Sequence, residues 1–272
     1  MDNLAIIKIG GSVFSDKKVP FSFRKDVVAR LSQEIKSFEG SKIIVHGGGS
    51  FGHVIAKEYD VTNPNTQHKK RYMIGIINTH YAMRVLNSMF IKIFVDEGIP
   101  VLPFDPLTIF VLKKNEVIYS YTTTLELSLK RGFVPILYGD IVIDEENVFS
   151  ILSGDTIISH LASKMNPKSV ILCTDVDGVY ENIEDKETLI KEINEDNISE
   201  VLERLRTSAL GTSVIDVTGG MYKKIKELWN LAKKGVVSYI INGFKPSLVK
   251  MALEGKSVVG TKIVCNSCGG KN

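Results

Sequence analysis

No apolar run in this sequence approaches the roughly 18 residues that a membrane-spanning helix needs. The first residues, MDNLAIIKIGG, have neither the basic start nor the long apolar core of a signal peptide. Cysteine is scarce: Cys173, Cys265 and Cys268 do not make a disulfide framework. The last two form a C-x-x-C, but a zinc site takes four ligands and no second pair or nearby histidine accompanies them. They are read as incidental thiols in a flexible tail, and no metal ligand is assigned. Charge of one sign is also lacking. The net charge is +3, and the lysines are spread along the chain rather than run together. That speaks against nucleic acid or a membrane surface as partner and leaves individual lysines to carry any phosphate chemistry. A cytoplasmic protein is expected.

What is present is an ordinary globular composition, 44% hydrophobic and 24% charged, in a chain long enough for one large domain or two packed lobes. Short apolar runs alternate with amphipathic stretches. LAIIKI, KIIVH, IPVLPF, EVIYSY, FVPILYG, VFSIL, SVILCT and VSYIING read as strands. Val27, Val28, Leu31, Ile35 and Phe38 fall at helical spacing, and further helices are expected after Gly49, across Ile74 to Val95, after Gly154 and after Gly220. The pattern predicts a single α/β unit with a mostly parallel sheet, in two lobes. Gly10-Gly11, Gly47-Gly48-Gly49, Gly139, Gly154 and Gly178 each follow an expected strand. In open α/β sheets ligands bind beyond the carboxyl ends of the strands, so these loops converge on one crevice suited to several phosphates.

Two familiar phosphate loops fail. Gly47, Gly49 and Gly52 fit G-x-G-x-x-G, but a dinucleotide site needs an acidic residue about 20 positions on, at the end of the next strand. The chain there reads NTQHKKRYMIGI, basic and not strand-like. Gly255-Lys256-Ser257 imitates the end of a Walker A loop, yet Lys250 stands where its first glycine must be.

Five motifs remain, in order: Lys8-Ile9-Gly10-Gly11-Ser12, His46-Gly47-Gly48-Gly49, Ser153-Gly154-Asp155, the run from Thr174 to Tyr180 (TDVDGVY), and Thr218-Gly219-Gly220-Met221 with Lys224. Together they resemble the amino acid kinase superfamily, whose members phosphorylate carboxylates, carbamate or phosphates. The resemblance covers nearly the whole chain. It implies a three-layer αβα sandwich around a central, mostly parallel sheet, one domain (1–272) with an acceptor lobe over about 1–165 and a nucleotide lobe over about 166–272. Within the superfamily, HGGGSFGH with its terminal His53, GDIVID and SVIDVTGGM look like the branch that converts isopentenyl phosphate to isopentenyl diphosphate in a mevalonate-type route. Fosfomycin-type kinases also carry a histidine in this loop. A kinase of another small phosphate or phosphonate, or a non-catalytic nucleotide-binding regulator, is the alternative. ATP is implied, with Mg²⁺ held largely by its phosphates because no acidic cage is apparent. A homodimer is implied as well.

The chemistry is consistent. A phosphate monoester, with a second pKa of about 6, is mostly a dianion at neutral pH and needs no general base to attack ATP. It needs charge neutralisation and in-line placement. A sugar kinase would want an aspartate base, for which Asp155 is available.

The resemblance also assigns roles. Lys8 contacts the transferring phosphoryl group while the amides of Gly10, Gly11 and Ser12 hold ATP. Gly48, Gly219 and Gly220 extend that site, and Lys224 reaches the β- and γ-phosphates with Lys223 facing solvent. Lys17 matches a transition-state lysine, although spacing does not separate it from Lys18. Asp155 sits between Lys8 and Lys224; a helix N-cap is its structural reading, and the two are compatible. Gly47, Gly49, Gly52 and Gly154 line the acceptor side, where His53 donates a hydrogen bond to the acceptor phosphate. Asp175, Gly178 and Tyr180 belong to adenine and ribose. Ile77, Tyr81, Met83 and Met89 offer an apolar slot for the acceptor's hydrocarbon, with core packing as the competing reading. His46 is read as structural, and His68, His80 and His160 carry no motif.

Overall fold

The computed structural model describes residues 3–16, 18–61, 63, 70–182, 185–211 and 218–268. Every residue of β1 (Leu4–Ile9) is buried, and their alternation divides the core in two. Leu4 and Ile6 pack into one apolar cluster, Ala5, Ile7 and Ile9 into another. A strand covered on both faces reads as a continuous apolar run, as LAIIKI does. Its one charged residue, Lys8, shares the Leu4–Ile6 face because side chains alternate with period two.

From β1 the chain passes through α1 (Gly11–Phe14), α2 (Lys25–Lys36), β2 (Ser41–His46), α3 (Gly49–Glu58) and α4 (Lys70–Asp96). Next come β3 (Val101–Pro103), α5 (Pro106–Ile109), β4 (Phe110–Lys113), β5 (Glu116–Ser120), α6 (Thr123–Lys130) and β6 (Val134–Tyr138). A hairpin of β7 (Asp140–Asp144) and β8 (Val148–Leu152) leads into α7 (Gly154–Met165) and β9 (Ser169–Thr174). Short strands β10 (Val179–Tyr180), β11 (Leu189–Ile190) and β12 (Glu192–Ile193) precede α8 (Ile198–Gly211) and α9 (Thr218–Ala232). The described chain closes with β13 (Val237–Asn242), α10 (Leu248–Leu253) and β14 (Gly260–Ile263).

Eight strands form the main sheet in the order β12-β14-β13-β9-β1-β2-β6-β3. Its pairings are parallel except for β13 with β14. Residues of α7, α8 and α9 pack in the Leu4–Ile6 cluster, and residues of α1, α2, α4 and α10 in the other. The architecture is the expected three-layer αβα sandwich with a mostly parallel sheet. A second, four-stranded sheet, β5-β4-β7-β8, flanks it, and β10 pairs with β11. Among the described residues no helix is long and apolar enough to cross a membrane.

The C-terminal cysteines require a correction. Cys265 and Cys268 are joined in a disulfide, and Cys265 is buried in the Leu4–Ile6 cluster. The following backbone is held too, Asn266 and Ser267 N–H donating to the Glu195 carboxylate at 3.0 and 2.9 Å. A segment docked by its own side chain and amides is not a flexible tail. Cys173 is buried, which pushes its thiol up to about 12 and keeps it protonated.

Asp144 fixes the flanking sheet. Its Oδ1 accepts from Lys114, Glu146 and Asn147 N–H at 3.2, 3.0 and 2.9 Å, and its Oδ2 from Asn115 N–H and the Ser150 hydroxyl at 2.9 and 2.8 Å. One carboxylate thereby closes the β7–β8 turn and the β4–β5 turn together. Burial alone would raise its pKa, but these donors favour the charged form and hold it well below the carboxylate range. A depressed folded-state pKa contributes stability above the unfolded value of about 4, lost as pH falls through the folded one. Asp144→Ala is expected to lose about 1–3 kcal/mol in chemical denaturation at pH 7, with its gap to wild type narrowing below about pH 4. A loss under about 0.5 kcal/mol, the range of an ordinary surface change, would contradict this role.

Candidate active site

Parallel neighbours align their carboxyl ends, so the loops after β1, β2, β6 and β9 emerge side by side. The ladder runs on into them: Gly10 N–H donates to Cys173 O at 2.9 Å, Gly47 N–H to Ile9 O at 3.0 Å, and Gly139 N–H to His46 O at 3.0 Å. Glycine is required where the loops touch. A Cβ on Gly11 would lie 2.8 Å from the Gly49 backbone, and Gly49 itself has φ +51°, a left-handed conformation. These loops surround a cleft of about 440 Å³.

Part of the cleft is charged. Lys8 Nζ lies 2.6 Å from Asp155 Oδ1, and Lys224 Nζ lies 3.5 Å from Oδ2. β1 delivers Lys8 from the sheet, the first turn of α7 delivers Asp155, and the second turn of α9 delivers Lys224. Burial lowers the Lys8 pKa; Asp155 opposes that and Lys224 reinforces it, with a net depression. Burial pushes Asp155 up, but the two ammonium groups outweigh it and hold the carboxyl below its ordinary range. Ser153 is the N-cap of α7, its hydroxyl accepting from Thr156 N–H at 3.1 Å, so the cap duty falls to it and not to Asp155.

The same cleft is also lined by Ala56, Thr79, Met83, Ile141 and Ile151. Ile141 and Ile151 are opposite partners in the β7–β8 hairpin. Met83 reaches the glycine loop: a Cβ on Gly52 would come 2.9 Å from its sulfur. His53, in α3, is exposed and lines the same cleft. His46 is buried, stacked on the Phe90 ring with centroids 4.3 Å apart. Burial lowers its pKa to about 4, so it is neutral. Its Nδ1–H donates to Gly47 O at 2.9 Å, and its Nε2 faces Asn87 Oδ1 at 3.2 Å.

Lys8, Gly10, Gly11, Ser12, Gly47, Gly48, Gly49, Gly52, His53, Met83, Gly154, Asp155, Asp175, Gly220 and Lys224 all line this cleft. Several expected residues do not. Ile77 and Tyr81 are 60% and 67% exposed, on a different face of α4 from Thr79 and Met83, which line the cleft. Met89 packs against the Ile7 cluster instead. Gly178 is buried against Thr261, which would meet a Cβ there at 2.5 Å, and the Tyr180 hydroxyl donates to Asp177 at 3.1 Å. Asp177 also takes Lys245 Nζ at 2.8 Å and Asn242 Nδ2 at 2.9 Å, a loop-ordering role the sequence did not reveal. Gly219 opens α9 beside Gly220. Lys17 lies outside the described residues, as does His68; Lys18 is exposed, its N–H donating to Asp16. Thr79, Ile141 and Ile151 were missed, although Thr79 stands four residues before Met83 and the two isoleucines flank the hairpin next to Gly139 and Ser153.

An αβα sheet whose strand ends gather glycine amides around a Lys–Asp–Lys cluster defines a phosphoryl-transfer class of protein. The sequence matches the amino acid kinase family over residues 3–242, and the chain belongs to that family. It is 36% identical over 267 residues to the isopentenyl phosphate kinase of Methanothermobacter thermautotrophicus, spanning 96% of this chain and 98% of that one. It is likewise 36% identical over 269 residues to the isopentenyl phosphate kinase of Methanocaldococcus jannaschii, with 96% and 98% covered. A crystal structure of an isopentenyl phosphate kinase superposes with a TM-score of 0.81 at 32% identity, covering 96% of this chain and all of the other.

Asp155→Asn removes the one group that raises the Lys8 pKa through both charge and contact, leaving burial and Lys224 to lower it further. Turnover is expected to fall about 10²–10³-fold. With Lys8 expected to act as a cation, the alkaline limb of the pH–rate profile is expected to move to lower pH. A variant with an unshifted limb would show that Asp155 does not hold the Lys8 charge.

Proposed function

We propose that this chain is an ATP-dependent kinase that phosphorylates isopentenyl phosphate to isopentenyl diphosphate by direct in-line transfer. The carrying observation is one cleft that combines the charges of Lys8, Asp155 and Lys224 with the apolar side chains of Ala56, Met83, Ile141 and Ile151. A short hydrocarbon on a phosphate fits both. The names of its relatives support the same reading.

The acceptor is a dianion above its second pKa of about 6, so its oxygen attacks without a base. As the new O–P bond forms at the γ-phosphorus, the bond to the β–γ bridging oxygen breaks and ADP leaves. Charge control is the task left to the protein. Lys8 meets the transferring group, Lys224 the β- and γ-phosphates, and the amides of Gly10, Gly11 and Ser12 the rest of the chain of phosphates. Asp155 holds both ammonium groups apart from each other and in place. His53 reads the acceptor phosphate beside Gly47, Gly49 and Gly52, and Lys17 supplies further positive charge. Mg·ATP is the substrate form: the Asp155 oxygens are committed to lysines, so the ion rests on the nucleotide's own phosphates.

In this reading residues to about 165 hold the acceptor and those from about 166 hold the nucleotide, joined by Lys8 from β1. A phosphonate kinase would share the charged groups, but the apolar side chains favour a hydrocarbon. A regulator would need affinity for ATP and no clamp for a transition state.

ADP release from Mg·ATP, measured beside UMP, fosfomycin, acetylglutamate and carbamate, is expected to prefer isopentenyl phosphate. His53→Ala is expected to lose about 10²-fold or more of that turnover. Preference for another acceptor would move the chain to another branch of the family, and ATP binding without turnover on any would favour the regulator.

A further inference from the structure

A cluster apart from the lysines of the cleft has no part in the chemistry above. His80 on α4 lies between two carboxylates: Nδ1 is 2.7 Å from Asp140 Oδ2 and Nε2 is 3.5 Å from Asp105 Oδ2. The Asp140 side chain is fully buried, and its backbone begins β7, next to Gly139. Asp140 itself lines the cleft, as do Thr79 and Met83 from the helix that carries His80. The pair therefore joins two walls of the cleft. These three side chains are close enough to hold an ion. The two carboxylates, however, face different ring nitrogens, the bracket of a doubly protonated imidazole rather than of a common metal position.

We propose that His80 is a positioning residue for the acceptor: its imidazolium ties α4 to the start of β7 and masks the Asp140 charge, which would otherwise repel an anionic acceptor from the cleft. The proposal rests on the reading that the acceptor is a phosphate monoester. Three further groups face this pair: Asp105 at the N-cap of α5, Arg84 on α4, and Tyr138 at the end of β6. The hydrogen bond to Asp140 raises the His80 pKa against the pull of burial and Arg84. Burial raises Asp140 to about 6 while the hydrogen bond and charge of His80 lower it, so the carboxylate is charged at neutral pH. Both groups bind protons more tightly folded than unfolded. The charged pair is therefore present above about 6, below which Asp140 takes up a proton, and is lost as pH rises through the folded value of His80.

The test compares wild type, His80→Asn, Asp140→Asn and the double variant. His80→Asn is expected to raise KM for isopentenyl phosphate about tenfold with little change in KM for ATP or in kcat. Adding Asp140→Asn removes the unmasked charge and is expected to bring that KM back to within about threefold of wild type. Wild type alone should show KM for the acceptor rising on the alkaline side. An unchanged KM in His80→Asn, a double variant no better than the single, or parallel losses in kcat, both KM values and Tm would each overturn the proposal, the last by making the role merely structural. Zn²⁺ or Mn²⁺ binding that requires His80 would overturn it in favour of a metal site. Should wild type not turn over isopentenyl phosphate, the functional reading fails on its own. The clamp is then judged by the NMR titration of the His80 ring: a pKa above about 6.5 that falls in Asp140→Asn upholds it, and one at or below that value overturns it.

Discussion

A lysine on the central strand of a buried sheet is an expensive thing to keep charged, and the cleft is organised around doing so. Lys8 occupies a position in β1 whose neighbours on the same face, Leu4 and Ile6, are pure core. Its ammonium group stays useful only because Asp155 is brought to 2.6 Å. That one contact fixes where α7 must begin, since a carboxylate in its first turn has to meet the end of β1. It also admits Lys224: the second cation can enter the same corner because Asp155 offers it the other oxygen. A buried charge left without its partner costs far more than the pair itself contributes, so the arrangement holds its three elements in register.

The rest of the cleft follows from what such a corner attracts. Phosphates come to ammonium groups and to glycine amides, and the strand ends supply both. Beside the apolar lining residues, charge is hidden. His46 sits close to the glycine loop yet stays neutral, enclosed by Phe90 and Tyr138. Asp140 lies against the cleft with its carboxylate turned to His80. The cleft is thus lined by lysine charge while the Asp140 carboxylate beside it is turned to His80, which is the polarity that two approaching polyanions require.

Much of this was legible in the chain. LAIIKI and KIIVH read as buried strands because both faces are covered, and glycines after strands located the crevice through a general property of parallel sheets. Lys8, Asp155 and Lys224 are far apart in sequence; the resemblance grouped them, and the structure brings both ammonium groups within 4 Å of the one Asp155 carboxylate, each on its own oxygen. The side-chain face of α4 was not legible. Its 27 residues are apolar on more than one side, so periodicity did not separate Met83, which faces the cleft, from Ile77 and Tyr81, which face outward. The β7–β8 hairpin was hidden because GDIVID was read as a motif rather than a strand. His80 and Asp140 are 60 residues apart with no motif joining them, and the disulfide of Cys265 and Cys268 depends on a docking site made by other elements.

Direct transfer across one cleft is the claim on which the account stands. The stereochemical course at phosphorus tests it most directly, using ATP made chiral at the γ-position with oxygen isotopes and sulfur and isopentenyl phosphate as acceptor. A single in-line displacement gives inversion, the result expected here. Net retention would mean two displacements through a phosphorylated side chain, and would contradict a cleft whose lysines, glycines and histidine only hold and neutralise charge.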